Sequence, residues 1–128
     1  MLIPLPIEAK NITAGLDWAG NSGKLIANLL FKEECFGEAY TVSSAPNLTW
    51  GDVADIYTEV MGGKFKWVSL EEYLEATDNF NYYALVYDRL FDRNIDNSKI
   101  LKATKLSADD FLSVKEGLLI ELNKLKRE

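Results

Sequence analysis

The stretch TWGDVADIYTEVMGGKFKWVSLEEYLEA, residues 49–76, decides the fold class. Thr49-Trp50-Gly51-Asp52 is a hydroxyl followed three residues later by an acid. That pattern caps a helix: the hydroxyl accepts an orphan amide, and the acid reaches back or complements the helix dipole. A helix is expected from there to about Met61, with Gly62-Gly63 ending it. Phe65-Lys66-Trp67-Val68 then reads as a strand with Phe65 and Trp67 on one face. Ser69-Leu70-Glu71-Glu72 repeats the capping pattern and opens a second helix to about Ala76. Helix, strand and helix alternate within one short stretch, which is the signature of an α/β protein.

Working toward the N-terminus, Ala39 to Ser44 alternates Tyr40 and Val42 with small or polar residues and is closed by Pro46, as a strand would be. Leu25, Ile26, Leu29 and Leu30 recur at helical spacing, so a helix is expected from about Asn21 to Glu34, stopped by Gly37. Ile12, Ala14, Leu16 and Trp18 alternate weakly as a strand over Asn11 to Trp18. Pro4 and Pro6 make the first segment extended but unsuited to a central strand. Toward the C-terminus, Asn81 to Phe91 is expected to be helical and Asp96-Asn97-Ser98-Lys99 to open a short helix. Ser107-Ala108-Asp109-Asp110 is expected to open a last helix running to about Lys126. The sum is a small mixed α/β domain over residues 1–128, with two or three short strands and five or six helices. A sheet that thin favours something larger to pack on.

The 128 residues carry 14 basic and 20 acidic side chains, a net charge of −6. Such a surface repels phosphate backbones, so a general nucleic-acid binder is not expected. The basic tail Lys124-Leu125-Lys126-Arg127 reads as cations complementing a helix C-terminus. No apolar run approaches the ~20 residues that span a bilayer. The apolar start lacks the basic region of a signal peptide. A soluble cytoplasmic protein with no membrane partner is the expectation. The sequence has no histidine, which removes histidine metal ligands and Ser-His or Cys-His dyads. Cys35, the one cysteine, has no partner for an internal disulfide and reads as a small buried hydrophobe near the end of an apolar helix.

Few residues point to chemistry. Gly15, Gly20 and Gly23 superficially suggest a phosphate loop. No Gly-Lys-Ser/Thr follows the second glycine, however, and no Gly-x-Gly-x-x-Gly exists. The acidic pairs Glu33-Glu34, Glu71-Glu72 and Asp109-Asp110 point about a quarter-turn apart on a helix and do not converge. The densest feature is the aromatic cluster Phe80, Tyr82, Tyr83, Tyr87 and Phe91, interleaved with Asp88-Arg89 and Asp92-Arg93. It reads either as a core or docking face with an ion-pair network, or as a site where arginine meets a polar, ring-bearing ligand.

Three stretches taken in order carry a resemblance. They are Gly37-Glu38-Ala39-Tyr40-Thr41-Val42-Ser43-Ser44, then Leu48-Thr49-Trp50-Gly51-Asp52-Val53, then Asp96-Asn97-Ser98-Lys99-Ile100. Glu116-Gly117-Leu118 lies in the last helix, and Ile3-Pro4-Leu5-Pro6 opens the chain. This order resembles the C-terminal, substrate-binding part of the NAD-dependent epimerase/dehydratase family, the extended short-chain dehydrogenases/reductases. The resemblance implies a lobe of a nucleotide-sugar oxidoreductase whose catalysis and NAD(P) binding belong to an N-terminal Rossmann domain. No tyrosine here is followed by lysine four residues on. The chain would therefore be an excised or truncated lobe, inactive alone, with no cofactor, metal or catalytic residue of its own. Its partners would be the Rossmann domain of the parent enzyme and an anionic small molecule such as a nucleotide sugar. Arg89 and Arg93 would contact that substrate, and Asp96 would order the turn beside them. The rival expectation is a stand-alone interaction domain, not an enzyme, that uses the aromatic surface around Tyr82 to Tyr87 to self-associate as a homodimer or to dock on a partner.

Overall fold

A computed structural model describes residues 2–78 and 82–125. Its elements are β1 (Ile3–Pro6), α1 (Ala19–Leu29), α2 (Trp50–Met61), β2 (Phe65–Val68), α3 (Leu70–Ala76), α4 (Tyr82–Ala84), α5 (Ser98–Thr104) and α6 (Val114–Leu125). Among the described residues the fold is thus a mixed α/β one, with six helical segments and a two-stranded parallel sheet. Two compact units share the chain. The first holds Met1–Gly15 and Asn47–Arg93, and the second holds Leu16–Pro46 and Asn94–Glu128.

In the first unit the stretch that opened the reading folds as expected. Thr49 Oγ1 accepts the Asp52 amide at 3.1 Å, and the Asp52 carboxylate accepts the Thr49 amide at 2.8 Å, closing a full capping box on α2. Gly62 ends α2 in the left-handed region, φ 68°, where glycine has no Cβ to clash. β2 occupies the four residues expected, and Ser69 Oγ caps α3 through the Glu72 amide at 3.1 Å.

The sequence alone names no partner for β2. That partner is β1, the proline-bearing start, in parallel register Ile3↔Phe65 through Pro6↔Val68. The Ile3 amide donates to the Lys64 carbonyl at 2.8 Å. Alternate residues of a parallel strand face the ladder, so Pro4 and Pro6, which lack an N–H, face away from β2. The prolines therefore cost no ladder bond and blunt the outer edge of β1. The two other expected strands do not form. Between Asn11 and Trp18 there is a single antiparallel bridge, Thr13↔Thr49. Ala39 to Ser44 has no regular structure. Alternation supplied a side-chain pattern in both, but no neighbouring strand supplies a ladder.

In the second unit α1 and α5 pack together, and each contributes a fully buried side chain, Leu25 and Ile100. Helix α1 is shorter than expected: it ends at Leu29, and Phe31 turns the chain at φ 63°. Cys35 is consequently on a separate 3-10 turn, Glu33–Cys35, and is half-buried rather than enclosed. The Ser107 capping box is present but opens only a 3-10 turn, Ala108–Asp110. The last helix begins later. Ser113 and Glu116 cap α6 reciprocally, Ser113 Oγ accepting the Glu116 amide at 3.2 Å and Glu116 accepting the Ser113 amide at 2.8 Å.

The hub of this unit is polar. Buried Asn21 donates to the Leu112 carbonyl at 2.8 Å and accepts the Leu112 amide at 3.0 Å, as a strand neighbour would. Its amide also donates to Asp17 and Ser44. Asp17 in turn accepts the Ser44 amide and hydroxyl, each at 2.6 Å. A buried amide so fully matched is stabilising, whereas a half-matched one would cost free energy.

Candidate functional site

One cleft of the first unit, lined by aromatic side chains and an arginine, has a volume of about 280 Å³. Leu5 and Pro6 of β1 and Trp67 of β2 form its floor; Trp50, at the start of α2, and Tyr73 of α3 add aromatic walls. The remaining wall is Ala84, Leu85 and Arg89. The sheet positions the floor: Leu5 and Trp67 are register partners, so both present from adjacent strands. Alternation placed Trp67 and Phe65 on one face, and Trp67 lines the cleft.

Helix α4 continues as a π-helical turn, Leu85–Arg89, closed by the Leu90 amide on the Leu85 carbonyl at 3.1 Å. Leu85, buried, and Arg89, exposed, stand four residues apart on this turn and line the same wall. π turns inside helices concentrate at functional sites, since the backbone distortion they carry needs a compensating use. Asn81 and Phe80, expected in this helix and cluster, lie outside the described residues.

Both arginines picked from the sequence converge on one carboxylate. Arg93 pairs closely with Asp88 Oδ1, and Arg89 approaches Asp88 Oδ2 at 3.6 Å. The Arg93 side chain also lies across Gly15, where an added Cβ would meet Arg93 Cδ at 2.8 Å. Gly15 has φ 63°, so glycine is needed there for both space and backbone. Asp92 is engaged separately, accepting the Thr13 amide at 2.9 Å. Arg93 is thus held by the fold. Arg89, by contrast, has one long ion pair, with Asp88, and lines the cleft.

Asp96 belongs to the second unit. Its carboxylate accepts the Ser98 amide at 2.9 Å at the start of α5, and that bond holds its pKa below the ordinary aspartate value. Lys99, the lysine of the same motif, donates to Glu38 at 2.7 Å and to the Ala39 carbonyl at 3.0 Å, and lies over the Tyr40 ring. The Tyr40 hydroxyl is pushed up to about 12, first by its hydrogen bond with Cys35 and then by burial. These contacts fix the irregular segment around Tyr40 onto α5.

The aromatic cluster is a surface, not a core. Tyr83 and Tyr87 are 77% and 67% exposed and stack with ring centres 6.2 Å apart, with Tyr82 edge-on to Tyr83 at 5.3 Å. Among the described residues no group of three or more metal-ligating side chains converges, and no helix is long and apolar enough to cross a membrane. No known protein family, curated protein or solved structure matches the chain. Arg89, singled out in the sequence by its place among aromatics, lines the cleft. Sequence reasoning does not reach Trp50, Trp67 and Tyr73 as cleft residues, because each reads as part of its own helix or strand and nothing local links the three.

Proposed function

We propose that this chain is the substrate-binding lobe of an NAD(P)-dependent oxidoreductase of the epimerase/dehydratase type, not catalytic by itself. The observation that carries the reading is a guanidinium, Arg89, on the wall of a cleft otherwise built from aromatic and aliphatic side chains. Such a cleft gives a ring apolar contact and gives an anionic substituent a planar, charged donor. The resemblance supplies the class and the partner: a nucleotide-holding Rossmann domain that brings cofactor and catalytic groups. Arg89 meets the substrate, Arg93 holds Asp88 and so the π turn, and Asp96 orders the start of α5. Nicotinamide cofactors then have no site on this lobe. Isothermal titration of the chain with NAD and with NADP is expected to show no saturable heat, and micromolar binding of either would refute the assignment.

A second reading has its own observation, the exposed stack of Tyr83 and Tyr87. Exposed tyrosines are favoured at protein interfaces. An interaction or dimerisation domain would self-associate through them. Sedimentation equilibrium of the wild type against Tyr83→Ser/Tyr87→Ser separates the readings: a dimer lost in the double variant favours the interface.

A further inference from the structure

Resting on the lobe reading above, we infer that the cleft of the first unit takes a small ring-bearing monoanion, an aromatic or heteroaromatic carboxylate, rather than a nucleoside diphosphate. Three observations lead there. The first is charge. Arg89 is the only cationic side chain lining the cleft among the described residues, and Asp88 at 3.6 Å already offsets part of its charge. Lys10 lies over the Trp67 ring at 5.5 Å and is not part of the lining. One partly neutralised guanidinium balances one negative charge; a diphosphate would bring surplus charge into apolar walls, where it is costly to desolvate.

The second observation is size. About 280 Å³ lies just below the ~300–1,000 Å³ typical of pockets for drug-sized ligands, enough for a bicyclic ring and one carboxylate. The third is shape. Trp50, Trp67 and Tyr73 line the cleft with aromatic surface suited to a ring, while a guanidinium matches a carboxylate with two parallel hydrogen bonds. Leu85 and Arg89 of the π turn line one wall, which places this donor beside the apolar surface, so both ends of such a ligand are met at once.

The test is isothermal titration of the full chain with three probes: 2-naphthoate, its neutral counterpart 2-naphthylmethanol, and uridine diphosphate. The expected result is saturable binding of 2-naphthoate, weaker by about tenfold or more for the alcohol and for Arg89→Ala. Arg89→Gln, which keeps a polar side chain without the charge, gives the same loss and guards against a folding defect in the alanine variant. Uridine diphosphate binding more tightly than 2-naphthoate, with loss in Arg89→Ala, would overturn the monoanion inference and leave the lobe reading standing. Absence of Arg89-dependent binding for every probe would overturn both.

Discussion

The two units of this chain use tryptophan in opposite ways. In the second, Trp18 is locked. Its indole nitrogen donates to Glu121 at 3.2 Å, and its ring is pressed on two glycines, Gly20 and Gly117. An added Cβ at Gly117 would stand 2.5 Å from Trp18 Cγ. In the first unit, Trp50 and Trp67, half-buried as Trp18 is, line an open cleft and share it with Arg89. A ring packed on two glycines with its N–H bonded within the same unit holds structure together. One that lines a cleft beside a partly neutralised guanidinium is available to a ligand. The polar groups follow the same division: Asn21 is matched on every side, whereas Arg89 has one long ion pair.

The hardest way to break this contrast is to fill the space under Trp18. Gly117→Ala is expected to lower unfolding free energy by about 3 kcal/mol, the upper range for overpacking, because the clash is with the root of the indole and not a flexible tip. Urea denaturation followed by circular dichroism measures it; a loss near zero would mean that Trp18 is not held as described. Asn21→Ala should cost about 2 kcal/mol by leaving both polar groups of Leu112 without their partner. The same denaturation experiment, with hydrogen exchange at the Leu112 amide, tests whether Asn21 is the hub.

Trp67→Phe in the first unit sharpens the comparison from the other side. It removes part of an open wall and a cation–π contact with Lys10, so stability should fall by only about 1 kcal/mol. Ligand affinity should fall further than stability does. A stability loss matching that of Gly117→Ala would erase the distinction between the units.

The smallest effect concerns acid. Asp52, Asp96, Asp110 and Glu116 are held below their ordinary values by hydrogen bonds from Thr49, Ser98, Ser107 and Ser113 respectively. A carboxyl depressed in the folded state adds stability above its unfolded pKa and loses it as pH falls through the folded one. Thermal melts should therefore hold steady near neutrality and decline below about pH 4, where these groups begin to protonate. Ser113→Ala should flatten the part of that decline owed to Glu116. An unchanged acid profile in that variant would detach Glu116 from the cap.

Local chemistry was the legible part of this molecule. The Thr49 box, the Gly62 stop, the Phe65–Val68 strand and the Ser69 cap all act within a few residues, and each stands where the pattern put it. The start of the last helix was misplaced because two capping boxes follow one another, at Ser107 and Ser113, and only packing decides which one propagates. Alternation at Asn11 to Trp18 and Ala39 to Ser44 failed as a strand signal, since a strand needs a ladder from elsewhere in the chain. The pairing of β1 with β2 was hidden for the same reason: it joins residues about sixty apart, and it tolerates Pro4 and Pro6 only through their outward phase. The cleft was the least legible. Arg89 stood out by its neighbours, but the aromatic walls come from β2, α2 and α3, and the π turn has no distinctive local pattern.

The central claim is that the open tryptophans serve a ligand and the locked one serves the fold. The chain has three tryptophans, each with one indole N–H signal in a proton–nitrogen correlation spectrum. Titration of the labelled chain with 2-naphthoate should move the signals of Trp50 and Trp67 in a saturable way and leave that of Trp18 in place. Movement of Trp18 alone, or no saturable movement of Trp50 and Trp67, would contradict the account.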